Sequence, residues 1–250
     1  MHRSLPLLLV LVALATGCVH VPNAKERESS EIHYNLGTDA LRAGRAQEAL
    51  HEYDEALKLD DIFADAHMGR GLVLEYSFEK AAEAEKEYRR AIELRPGYSE
   101  AHNNLGQLLA KTGHLEQAVE EFDAALGNML YKEPYIARCN KAEALYRLGR
   151  KDEGMAEFKA CFANHRSYCQ GRRELGKILL SEGRATEALE EFKEYVRGCE
   201  TSQDAHYQLG LAYLKAGDAE HARESFEKCQ TLGADTDLGV DCRRSRDLLK

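Results

Sequence analysis

The sequence predicts an all-α fold: six helical hairpins stacked in series and one further helix at the C-terminal end. Three observations carry this expectation. Composition is the first: of 250 residues 44% are hydrophobic and 31% charged, Pro occurs only 4 times and Trp is absent. The common residues are Glu, Lys, Arg, Leu and Ala, which lose little on entering a helix. The second is internal repetition at a period that suits one helical hairpin. The third is punctuation, a glycine at the same offset in nearly every repeat, where one helix must stop and the next begin. The formal net charge is −9, but acidic residues are interleaved with Lys and Arg, as on solvated helix faces. An acidic chain without a Lys/Arg cluster argues against a nucleic-acid partner.

The chain opens with Met1-His2-Arg3, an apolar run from Leu5 to Leu14, and the small residues Ala15-Thr16-Gly17 before Cys18. The run is too short to span a bilayer and reads as a signal peptide over residues 1–17. The stretch Leu14-Ala15-Thr16-Gly17-Cys18 resembles the lipobox of bacterial lipoproteins, although Ala15 stands where Leu is commonest. The resemblance implies cleavage before Cys18 and acylation of that residue, several chains anchoring the protein durably. Val19 is not Asp, and by the sorting rule of Gram-negative lipoproteins this implies the outer membrane, facing the periplasm. The alternative is an ordinary signal peptide with an incidental cysteine. Residues 18–29 hold the lipidated Cys and a tether whose residues 19–29 reach at most about 3.5 Å each, roughly 40 Å.

Repeats occupy residues 30–235. The segments YNLGTDALRAGRAQEALHEYDEALKLD, NNLGQLLAKTGHLEQAVEEFDAALGN and YQLGLAYLKAGDAEHARESFEKCQTL align without gaps. Leu-Gly glycines fall at Gly37, Gly71, Gly106, Gly176 and Gly210, with Ala142 in the fourth slot, at spacings of 34, 35, 36, 34 and 34. Turn glycines follow at Gly44, Gly113, Gly149, Gly183 and Gly217, and alanines at Ala49, Ala84, Ala118, Ala188 and Ala222. The aromatics Tyr53, Tyr88, Phe122, Phe158, Phe192 and Phe226 complete each unit. This pattern resembles the tetratricopeptide repeat, which implies a right-handed superhelix of paired helices A and B that must stack to bury their apolar faces. Repeat 2 departs from it with Arg70 in place of Leu, one extra residue and no turn glycine; repeat 4 has Gly154 at the alanine position. Residues 236–250 have no second hairpin half and are expected to form a capping helix.

A search for chemistry returns nothing convincing. G-x-S-x-G, H-E-x-x-H, a phosphate-binding loop and C-x-x-C are all absent. His33, His67, His102 and His206 sit a whole repeat apart and cannot converge on one metal. Paired acids such as Glu120-Glu121 and Glu190-Glu191 read as a solvated face. No catalytic residue, metal, cofactor or small-molecule substrate is therefore expected.

Six cysteines remain after Cys18: Cys139, Cys161, Cys169, Cys199, Cys229 and Cys242. An even number in an exported chain suggests disulfides, with 15 connectivities open to six cysteines. The repeat register implied by the resemblance places Cys139 level with Cys161, Cys229 beside Cys242, and Cys169 near Cys199, each pair able to meet the usual Cα window. Buried unpaired thiols at small-residue positions are the alternative.

In tetratricopeptide arrays the concave face of the A helices takes an extended peptide or a helix. The corresponding candidates here are Tyr34, Thr38, Leu41, Met68, Leu72, Tyr76, Asn103 and Gln107. A Lys-Asn carboxylate clamp is missing, since Tyr34 and Thr38 hold its places. Tyr34, Leu41, Met68, Leu72 and Tyr76 are expected to form an apolar-aromatic strip without structural duty, free for an apolar partner segment or covered in part by the tether.

A lipoprotein built almost wholly from six such repeats resembles the pilotins of type IV pilus machines, the PilF/PilW family. The resemblance implies a noncatalytic factor that helps secretin subunits assemble in the outer membrane. The alternatives are a periplasmic scaffold for peptidoglycan synthases or outer-membrane protein assembly, and an accessory subunit of an enzyme complex.

Overall fold

The computed structural model describes residues 21–163, 165 and 168–249. The expected signal peptide, Cys18 and Val19 lie outside the described residues. Among the described residues there are thirteen α-helices and no strand. In chain order they are α1 (Ala24–Arg42), α2 (Ala46–Leu59), α3 (Ala64–Tyr76), α4 (Ala81–Leu94), α5 (Ser99–Lys111), α6 (Leu115–Gly127), α7 (Pro134–Arg147), α8 (Lys151–Phe162), α9 (Cys169–Ser181), α10 (Ala185–Gly198), α11 (Gln203–Lys215), α12 (Ala219–Leu232) and α13 (Asp237–Asp247). The first twelve pair into six hairpins, each stacked on the next, and α13 packs on α12 as a cap. None of these helices is long and apolar enough to cross a membrane.

The first helix begins earlier than the tether boundary anticipates. Residues 24–29 are its first turns, because Asn23 caps it: Asn23 Oδ1 accepts from the Lys25 and Glu26 amides at 3.0 and 3.1 Å. Glu26 Oε2 in return accepts from the Asn23 amide at 2.8 Å. This reciprocal pair satisfies donors that a helix start otherwise leaves open, and it outweighs the lack of apolar periodicity in the segment.

Five of the six A-to-B turns are made by glycines in the left-handed region: Gly44, Gly113, Gly149, Gly183 and Gly217, with φ between 73° and 89°. In the first turn the Arg45 amide then donates to the Ala40 carbonyl at 2.9 Å. The second hairpin, with its extra residue, solves the turn differently. Glu79 takes the left-handed conformation at φ 55°, and the Lys80 amide reaches back six residues to the Leu74 carbonyl at 2.8 Å. Arg70, which departs from the pattern in the same repeat, ties helices of adjacent hairpins, with Nε 2.7 Å from Asp54 and Nη1 2.6 Å from Glu87.

Each hairpin closes over one aromatic ring. Tyr53, Tyr88, Phe122, Phe158, Phe192 and Phe226 are all buried, each worth roughly 1.5–3 kcal/mol of apolar transfer. The Leu-Gly glycines exist for these rings: a Cβ at Gly71, Gly106, Gly176 or Gly210 would lie 2.6 Å from the ring of the same hairpin. In the fourth hairpin the two small residues exchange places. Ala142 occupies the glycine slot and Gly154 the alanine slot, where a Cβ would meet Tyr146 Cδ2 at 2.5 Å. The departure is thus compensated locally by the Tyr146 ring.

Three disulfides brace the second half. Cys139–Cys161 crosslinks α7 to α8, Cys169–Cys199 links the start of α9 to the end of α10, and Cys229–Cys242 fastens α13 to α12. Their Cα separations are 5.6, 6.3 and 6.0 Å, within the ordinary range.

Candidate partner-binding surface

The A helices α1, α3 and α5 carry the candidate residues, but most of the expected strip has structural work. Tyr34 packs its ring 5.9 Å from Tyr53 and 5.2 Å from Phe63. Thr38 Oγ1 donates to the Tyr34 carbonyl at 3.0 Å and lies 3.2 Å from the Tyr53 hydroxyl. Leu41 is half-buried against the first hairpin's core, Leu72 against the next, and Met68 lies within it. Asn103 is buried and its Oδ1 accepts from Asn140 Nδ2 at 3.0 Å. Only Tyr76 stands clear, 59% exposed. The expectation of a strip free of structural duty is therefore corrected. Side chains at these register positions meet their own or the neighbouring hairpin before they meet solvent.

What the structure assembles instead is a polar cleft of about 370 Å³ across α3, α5 and α7. Tyr76 and Gln107 line it together with Glu75, Lys111, Glu143 and Arg147. Glu75 is almost fully buried. Burial pushes its carboxyl above the usual carboxylate range, opposed by the hydrogen bond from the Tyr88 hydroxyl at 2.9 Å and by Lys111. Glu143 is likewise raised by burial, with Glu174 adding to the shift. Two carboxyls reluctant to ionise and two cations share one cleft, which suits a partner segment carrying polar or charged groups. Glu143 and Arg147 occupy the same repeat positions in α7 as Leu72 and Tyr76 in α3. Extending those positions to the fourth repeat would have pointed to them.

The face read as solvated also has a function in the fold. His33, His67 and His102 each place Nδ1 2.6–2.7 Å from a helix B carboxylate, on Glu52, Glu87 and Glu121. Arg138–Glu157 at 3.0 Å and Arg172–Glu191 continue the series. In the sixth hairpin Ser225 stands at the carboxylate position, and His206 Nε2 donates to the Glu200 carbonyl at 2.9 Å. Glu121 and Glu191 are thus inter-helix partners rather than free surface charges. Among the described residues no group of three or more His, Cys, Asp or Glu side chains could hold a metal ion.

A second cleft, about 700 Å³, lies between α8, α9 and α10, with Met155, Phe162, Leu175 and Leu179 at its floor and Glu187 and Glu190 at its rim. Arg172 covers the Phe162 ring at 3.8 Å.

Solved structures share this architecture. PilW, described as a widely conserved type IV pilus biogenesis factor, superposes with a TM-score of 0.76 at 23% identity, over 85% of this chain and 97% of that one. The Pseudomonas aeruginosa protein pilF superposes with a TM-score of 0.70 at 18% identity, over 88% of this chain and 99% of its own. A tetratricopeptide repeat protein from Parabacteroides merdae gives 0.68 at 20% identity, over 88% and 84%. Likeness at these identities is a likeness of fold. No curated protein sequence matches the chain significantly. Family models described as tetratricopeptide repeat match residues 34–97, 74–129 and 139–203, and another matches 203–235. With its six hairpins, their glycine-backed aromatics and these matches over most of its length, the chain belongs to the tetratricopeptide repeat family, whose arrays mediate protein–protein interactions.

Proposed function

We propose that this chain is a noncatalytic outer-membrane lipoprotein, a pilotin that promotes assembly of the type IV pilus secretin. Among members of the PilF/PilW group, its sequence resembles Tgl. One observation carries the reading: the array runs the length of PilW, a widely conserved type IV pilus biogenesis factor, and of pilF, covering 97% and 99% of them. The lipobox-like stretch ending at Cys18 supports it, since anchoring concentrates the array at the membrane where a secretin ring forms. Secretin subunits carry strand-forming segments that are prone to associate prematurely. A cleft that holds one such segment by its polar groups would delay that association until the subunit reaches the ring.

Cys18→Ala tests the reading. The substituted protein should remain uncleaved or mislocalised, and heat-stable secretin multimers should disappear from the outer-membrane fraction. Normal processing and localisation would defeat the lipid anchor. Normal multimers in a strain lacking the whole chain would defeat the pilotin role, and co-isolation of a peptidoglycan synthase in place of secretin would favour the scaffold.

A further inference from the structure

Within the six hairpins, odd-numbered helices begin and even-numbered helices end at one edge of the array. The chain enters the first hairpin at that edge and crosses there from each hairpin to the next. Large apolar side chains stand exposed along it. Val21 is 70% exposed, Ile62 42%, Met129 98% and Leu130 87%. Met129 and Leu130 belong to the crossing between α6 and α7, residues 128–133, which is longer than the four-residue crossings 60–63, 95–98 and 199–202.

This crossing is held at its base. Asn128 Nδ2 donates to the Gly97 carbonyl at 3.0 Å and to Ser99 Oγ at 3.1 Å, and Asn128 Oδ1 accepts from the Leu130 amide at 3.0 Å. Tyr131 is buried. The braced loop therefore displays two adjacent apolar side chains, which the fold alone gives no reason to leave in water. No acidic residue lies between Asn128 and Lys132.

Chain connectivity indicates what faces this edge. Cys18 stands five residues before Asn23, the cap of α1, so an extended link spans at most about 18 Å. That is just under half the reach of a tether running to residue 29. We infer that this edge rests on the bilayer, with Met129 and Leu130 entering the lipid interface. The inference rests on the lipid-anchor reading above. A protruding tip of Met and Leu, flexible side chains without a branch at Cβ, suits a fluid hydrocarbon surface, which needs no complementary shape. Two points of attachment, the acyl chains and the loop, fix the orientation of the array on the membrane.

The absence of Trp from the chain supplies the test. Leu130→Trp places a single reporter on the loop, and Glu116→Trp places one at the start of α6, on the opposite edge. With the other six cysteines paired, the mature chain couples through Cys18 to vesicles of phosphatidylethanolamine and phosphatidylglycerol bearing a maleimide lipid. The attachment is imposed chemically, so the readout does not depend on acylation in cells, which mass spectrometry of the membrane-extracted protein scores separately. On vesicles with brominated acyl chains the Leu130→Trp emission should shift to the blue and lose most of its intensity, while that of Glu116→Trp should do neither. Unchanged Leu130→Trp emission, or equal quenching of both reporters, overturns the inference. A blue shift that needs added secretin and not lipid overturns it as well, in favour of a protein partner.

Discussion

His102 Nδ1 lies 2.6 Å from Glu121 Oε2, while its Nε2 lies 3.0 Å from the Pro96 carbonyl oxygen. Both ring nitrogens thus face acceptors, an arrangement that only the doubly protonated ring satisfies completely. The Glu121 carboxylate raises the His102 pKa above its ordinary value, burial opposing it. The pair's stabilisation is therefore fully present below about pH 6.5, the ordinary histidine value, and is lost as pH rises through the raised value. Between about pH 6 and pH 9 the urea midpoint of the parent protein should fall more than that of His102→Gln. Parallel pH profiles would show that the pair contributes nothing.

The second hairpin carries a correctable strain. Glu79 holds a left-handed φ of 55°, which costs a residue with a Cβ about 1–2 kcal/mol. Glu79→Gly should raise stability by up to about 1 kcal/mol after its own entropy is counted, whereas Glu79→Ala should bring no gain. Thermal melts of the two variants side by side decide the matter.

On the A helices, burial separates two residues that the repeat register treats alike. Met68 is in the core and Tyr76 is exposed. Met68→Ala should lose about 2–5 kcal/mol. Tyr76→Ser should change stability by no more than about 0.5 kcal/mol and yet weaken capture of the partner. A Tyr76→Ser protein that supports normal secretin multimers would remove the cleft from the proposed mechanism.

Reduction should act on the second half of the array. The bridges enclose separations of 22, 30 and 13 residues, and each can contribute roughly 2–4 kcal/mol by restricting the unfolded chain. Nonreducing peptide maps should show Cys139–Cys161, Cys169–Cys199 and Cys229–Cys242. Hydrogen exchange after reduction should quicken in α7 to α13 and leave α3 to α6 unchanged; uniform acceleration would mean that the array unfolds as one unit.

The hairpin count, the turn glycines and the glycine–aromatic pairs were legible in the sequence because they are local: they repeat at fixed offsets within about 34 residues. The start of α1 was not read from the sequence: Asn23 and Glu26 have capping-box spacing, but the weak apolar periodicity of residues 24–29 hid it. Glu79 was not legible, because a turn with an extra residue carries no glycine to mark it.

Exposure was decided by tertiary structure alone. A register position says which way a side chain leaves its own helix, not whether a neighbouring ring awaits it. Tyr34 finds Tyr53 and Phe63, whereas Tyr76, also on the concave face, finds solvent. The same holds for the ladder from His33–Glu52 to Arg172–Glu191, whose partners lie 19 or 20 residues apart and meet only once helices A and B have folded back on each other. Periodicity along one chain determined the architecture. Contacts between helices, which sequence distance does not encode, decided which of its residues remain free to meet a partner.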